Sequence, residues 1–180
     1  MRKNKLFVKT KGLFFFAVFA IMYKEYILRS FIMTRSNARE IVAHLIFEMN
    51  FTTDSVEQVV DAAMEPDYYR SLAQESEIYA ERPDQKQMEY IRAAVAGIQQ
   101  KQQELDAYIA KYAINWSVSR ISKVVKAILQ VAMYESLYVD DVPVSAAINE
   151  AVELARKYED EDVVAFVNGI LGSFARELEK

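Results

Sequence analysis

Few residues in this sequence belong to types that carry out covalent chemistry. It has one histidine, His44, and no cysteine, which excludes disulfides, thiolate metal sites and a cysteine nucleophile and argues against a multi-histidine centre or a histidine-based triad. His44 falls opposite the apolar stripe of its predicted helix, with no second ligand type near it, and reads as a solvent-facing or partner-facing side chain. The run Glu159-Asp160-Glu161-Asp162 lacks the alternating ligands and glycine of a calcium loop and reads as a solvated connection with a helix cap. A Gly-rich phosphate loop and a G-x-S-x-G elbow are both missing. Gly169 and Gly172 fall inside a helical pattern, where each costs about 1 kcal/mol relative to alanine. With Ala165 they form a small-residue line that predicts close approach of another helix or of a ligand backbone. The sequence therefore predicts a binding protein with no catalytic residues, no cofactor and no metal.

The elements that must position any binding residues are helical. The chain has 180 residues with 4 Gly and 3 Pro, too few turn-formers for a sandwich, barrel or propeller. Its hydrophobic share of 52% is enough for a core. From Ser36 the apolar positions Ala38, Ile41, Val42, Leu45, Ile46 and Met49 follow helical spacing. Asp54 and Glu57 have capping-box spacing for a second helix, ended or kinked near Pro66. Tyr68 to Asp84 reads as a short helix and a loop. Met88, Ile91, Val95 and Ile98 form the next stripe, with a break in Gln99–Glu104 before Leu105, Ile109 and Tyr112. Ile121, Val124, Val125, Ile128, Leu129 and Ala132 make a long stripe with Lys123, Lys126 and Gln130 opposite. Two further helices follow, one from Val144 to Tyr158 and one capped by Asp162 and running to Leu178. The expectation is all-α, with about seven helices.

Charge divides the chain. Residues 1–33 carry seven cations against Glu25, a balance of +6, so with a total of −4 the rest carries −10. A body of that sign repels a phosphate backbone, and RNA contact would need a local basic patch or a shared partner. Residues 1–33 combine a basic start with the apolar run Leu13–Tyr23, eleven residues and too short for a bilayer span of about 20 residues. Three readings stay open. Met33 is an alternative initiator, which would make 1–33 a start-site artefact or a dispensable extension. The segment is otherwise an ordered or membrane-touching appendage, or a signal that is cleaved.

Four motifs of the body, in order, resemble the NusB family of bacterial transcription antitermination factors. They are Ala38-Arg39-Glu40; Trp116-x-x-x-Arg120 with Ala127-Ile-Leu-x-x-Ala132-x-x-Glu135; the segment Val142-Pro-Val-Ser-Ala-Ala-Ile-Asn-Glu-Ala-Val-Glu-Leu-Ala-Arg-Lys-Tyr158; and Phe166-Val-Asn-Gly-Ile-Leu171. The resemblance covers about residues 34–180 as an RNA-binding helical domain and leaves 1–33 outside. It implies an all-α NusB-like fold of two small three-helix bundles, divided near residues 112–118. It further implies a cytoplasmic, non-enzymatic protein that binds single-stranded boxA RNA of ribosomal RNA leaders together with the ribosomal protein NusE. That assembly acts on the elongating RNA polymerase with other Nus factors. Both monomer and homodimer remain open. A related reading is an orphan adaptor akin to the N-terminal domains of ribosomal RNA methyltransferases; a third is a membrane-anchored helical interaction protein.

The family's basic N-terminal segment falls on residues 34–39, which places RNA contacts at Arg35, Ser36 and Arg39. Arg35 and Arg39, four apart, share a helix face and would grip adjacent phosphates. Phe166 matches the F-V-N-G aromatic that would touch RNA, although it also fits the buried stripe. Phe47 lies off the main stripe, where the family carries an aromatic facing the ribosomal protein. Trp116 reads as core or, less simply, as a stacking platform.

Overall fold

The structure is a computed structural model that describes residues 33–113 and 121–179. Among them it contains eight α-helices, one short 3-10 turn and no strand. The helices are α1 (Arg35–Glu48), α2 (Val56–Ala63), α3 (Pro66–Glu75), α4 (Gln85–Gln100), α5 (Gln102–Tyr112), α6 (Lys123–Tyr138), α7 (Val144–Tyr158) and α8 (Glu161–Leu178). The 3-10 turn, Glu77–Tyr79, follows α3. No helix among the described residues is long and apolar enough to cross a membrane.

Local chemistry sets the helix starts. The Thr34 hydroxyl accepts from the Asn37 amide at 3.1 Å and starts α1. The capping box of α2 sits one residue later than its predicted place. The Ser55 hydroxyl accepts from the Gln58 amide and the Gln58 side chain accepts from the Ser55 amide, while Asp54 is taken by the Thr52 hydroxyl at 2.7 Å. Pro66 starts a new helix at its first position, where a missing N–H is harmless, with the Glu65 carboxylate as cap. The predicted break in Gln99–Glu104 is realised at Lys101, and this separates α4 from α5. Asp160, not Asp162, caps α8 by accepting from the Val163 amide. Asp162 sits with Glu161 in the first turn, where the helix dipole favours acids.

In the N-terminal half α1 packs on α2 and α4, and in the C-terminal half α6, α7 and α8 pack on one another. A single continuous core runs through both halves. Helix α6 is its axis, touching α1, α4, α5, α7 and α8. Lys123 at its start stays exposed, but residues 127–133 of this helix are all buried, which corrects the expectation for Gln130. That side chain is 2% exposed and donates to Asp106 of α5 at 2.8 Å, and Lys126 pairs with the same carboxylate at 2.7 Å. Helix α5 packs on α6 and α8, so the change of packing partners falls near Lys101, ahead of residues 112–118. Gly97 is the close approach between α4 and α6. The Tyr134 phenol of α6 occupies the space a β-carbon would need there.

Candidate functional site

Helix α1 carries most of the candidate residues, and tertiary packing treats them differently. Arg39 is 8% exposed. Its Nε donates to Glu135 Oε2 at 2.6 Å and its Nη1 lies 3.0 Å from Glu150 Oε2. Glu135, in the last turn of α6, is fully buried, and its second oxygen accepts from the Tyr90 hydroxyl of α4 at 2.8 Å. Burial opposes the Arg39 charge, but the Glu135 hydrogen bond and the surrounding carboxylates outweigh it and raise the guanidinium pKa. Arg39 is thus held between the buried Glu135 and the partly exposed Glu150, and the sequence picture of two adjacent phosphate-gripping arginines does not describe it.

Arg35 is the partner that stays available. Its guanidinium lies over the Tyr90 ring, 3.6 Å from the centroid. Its nearest carboxylate, Asp141, is 3.8 Å away and largely in solvent, a weak pairing. Ser36 is exposed on the same first turn. Phe166 of α8 is half-buried and packs against the core, at the opposite end of the sequence motif set. Trp116 and Arg120 lie outside the described residues. So do the basic and apolar runs of residues 1–32.

Further along α1, Phe47 is half-buried and lines an apolar groove of about 300 Å³ with Ala43, Val124, Ile128, Leu154 and Tyr158. Beside it stands Phe51, 64% exposed, its ring 5.0 Å from that of Phe47 and capped by the Lys123 ammonium at 3.8 Å. Phe51 escaped the sequence reading because it follows the end of α1 and belongs to no periodic stripe. An isolated aromatic just past a helix end was the available signal.

His44 also lines this groove, half-buried, and both of its ring nitrogens are taken by tyrosine hydroxyls. Its Nδ1 lies 2.8 Å from the Tyr79 hydroxyl and its Nε2 lies 2.7 Å from the Tyr158 hydroxyl. Tyr158 donates its one proton to Glu40, so its oxygen must accept from Nε2–H, and Nδ1 must accept from Tyr79. Lys157 closes the chain on Glu40. Burial lowers the His44 pKa and Lys157 adds to this, against the opposing pull of Glu40.

The small-residue line is open rather than covered. Ala165 and Gly169 are exposed, and no atom of another element among the described residues comes within 4 Å of a β-carbon built on Gly169. The predicted helix contact is therefore absent among the described residues. The groove that Ala165 borders, between α7 and α8, is wide and polar, with Asn149, Glu153, Arg156 and Asn168 on its walls.

Fold and site together define a small all-helical binding protein, with a stacked arginine at one end of α1 and an aromatic groove at the other. The family model for the NusB family matches residues 36–176. A curated transcription antitermination protein NusB of Clostridium tetani is 34% identical over 153 residues, covering 81% of this chain and all of that one. That of Acetivibrio thermocellus is 38% identical over 144 residues, covering 80% of this chain and 90% of the relative. Among solved structures, T. maritima NusB superposes with a TM-score of 0.67 at 30% identity, covering 81% of this chain and 93% of that chain. A structure of antitermination factors NusB and NusE in complex with dsRNA shares the fold, with a TM-score of 0.62 at 18% identity, covering 79% of this chain and 96% of that chain. The chain belongs to the NusB family.

Proposed function

We propose that this protein is a transcription antitermination factor. It binds single-stranded boxA RNA of ribosomal RNA leader transcripts jointly with NusE, and with other Nus factors it acts on the elongating RNA polymerase. It works by binding alone, without catalysis or cofactor, in the cytoplasm. The observation that carries this reading is the layout of α1. Arg35 and Ser36 stand at its start and Phe47 twelve residues on, about 18 Å along one rigid helix. RNA and a protein partner would meet on neighbouring parts of one element. Residues 34–180 supply this unit, and 1–33 are dispensable for it.

Charge supports a shared mode of binding. A body at −10 favours a basic ribosomal protein over naked nucleic acid, leaving RNA contact to a few groups. Arg35 and Ser36 meet the RNA directly, and Phe166 lends an aromatic edge. Arg39 serves the same face from behind, through Glu135 and Tyr90. Phe47, with Phe51 beside it, faces NusE. The test is fluorescence anisotropy of labelled boxA RNA titrated with the full chain, with and without NusE, against a scrambled RNA. Binding should tighten with NusE and fail on the scrambled strand. No binding in either arm, with the protein folded, overturns the reading.

A further inference from the structure

Between the first turn of α1, the first turn of α4 and the turn joining α6 to α7 lies a cleft of about 230 Å³. It is smaller than the roughly 300–1,000 Å³ of ordinary small-molecule sites, and so suits a single flat group. Val142, Pro143 and Ala146 form one wall, and Arg35, Lys86 and Gln87 stand across from it. Gln87 is exceptional in this protein. Its Oε1 is buried with no hydrogen-bond partner, the one such side-chain atom among the described residues, and its Nε2 makes only a 3.5 Å contact with the Met33 carbonyl. A buried amide oxygen without a donor is costly, and a donor N–H or O–H brought to it would relieve that cost.

Arg35 supplies the second, independent observation. The Tyr90 ring beneath its guanidinium fixes that plane, and Tyr90 is itself tied to buried Glu135. A guanidinium held flat on one side is a stacking surface on the other, which is how splayed bases of single-stranded RNA are received. The charges around the cleft suit the attached phosphate. Arg39 is neutralised from behind, whereas the carboxylate nearest Arg35 is the solvated Asp141, and Lys86 stands on the cleft wall.

We propose that this cleft receives one nucleobase of the bound single-stranded RNA, stacked on Arg35, with its phosphate near Lys86 and the Gln87 amide turning into the cleft so that Oε1 accepts an N–H of the base edge. The proposal rests on the RNA-binding reading above and adds a base-specific subsite to it. Tyr90, Glu135 and Arg39 act there as positioning residues.

The test walks a single abasic substitution along boxA RNA and measures affinity by anisotropy with NusE present. With the wild-type chain, one position should lose roughly 5- to 150-fold, the effect of one stacked base. In Gln87→Leu the intact RNA should bind roughly two- to tenfold more weakly, and the abasic penalty at that one position should shrink by the same factor. Thermal stability of Gln87→Leu should be unchanged or raised, because the variant removes an unpaired buried oxygen, so weaker binding cannot be ascribed to unfolding. If the Gln87→Leu and abasic penalties multiply independently at every position, the pocket is wrong and the antitermination reading stands. If wild-type protein fails to bind the RNA at all, both fall.

Discussion

Glu135 should be the most sensitive polar position in this protein. It is fully buried, and it satisfies two donors at once, Arg39 Nε at 2.6 Å and the Tyr90 hydroxyl at 2.8 Å. Truncation by Glu135→Ala leaves a guanidinium 8% exposed with Glu150 as its remaining partner, and a tyrosine hydroxyl with no acceptor. Breaking a buried ion pair from one side costs about 3–5 kcal/mol, a large part of the ~5–15 kcal/mol that holds a domain together. At about 2–4 °C per kcal/mol for a chain of this size, Tm should fall by about 6–20 °C. Glu135→Gln keeps the volume and one acceptor but forces an amide N–H toward a donor, and should cost roughly 2–3 kcal/mol, the scale of a lost hydrogen bond to a charged group. The double change Arg39→Met with Glu135→Leu should be less destabilised than Glu135→Ala, since the Arg39 charge goes with its partner. Urea unfolding of the full-length variants reads all three. A Glu135→Ala variant within 1 kcal/mol of wild type would refute the reasoning, because the pair would then have to be solvated.

Gly97→Ala should lower Tm, because overpacking against Tyr134 costs about 1–3 kcal/mol against a helix gain of about 1 kcal/mol; adding Tyr134→Leu should restore it. Stability should also fall with acid through His44. Its folded pKa is depressed by burial below the ordinary 6.5, so the unfolded chain binds the extra proton first. The contribution is intact above about pH 6.5 and is lost as pH drops toward the folded pKa, where protonated Nδ1 can no longer accept from Tyr79. His44→Gln should flatten that part of the Tm–pH curve; an unchanged slope would contradict the assignment. Phe51→Ser touches an exposed ring and should leave the unfolding free energy within about 0.5 kcal/mol of wild type. It should weaken NusE binding by about fivefold or more in a titration, the scale of an aromatic interface residue.

The sequence by itself determined the helices, because amphipathic periodicity and side-chain caps are local. The stripes of α1, α4, α6, α7 and α8 were legible, as was the break realised at Lys101, and cap positions missed by one or two residues where Asp54 and Ser55, or Asp160 and Asp162, compete for the same role. The ordered motifs identified the family. What only the tertiary structure decided is the environment of residues at the edges of those stripes. Arg39 and Glu135 are 96 residues apart, and nothing in i, i+4 spacing shows that a central helix brings a buried carboxylate to that guanidinium. The register of Glu135 with Ile128 and Ala132 was a sign that an acid sits in a buried stripe, but not of its partner. Gln130 read as solvent-facing until α5 was seen to cover it, and nothing near His44 in sequence showed that tyrosines 35 and 114 residues away close on its two nitrogens. Periodicity tells which face of a helix is apolar. Whether a polar group beside that face meets water, a countercharge or a ligand depends on what packs against it, and that is set by contacts far apart in the chain.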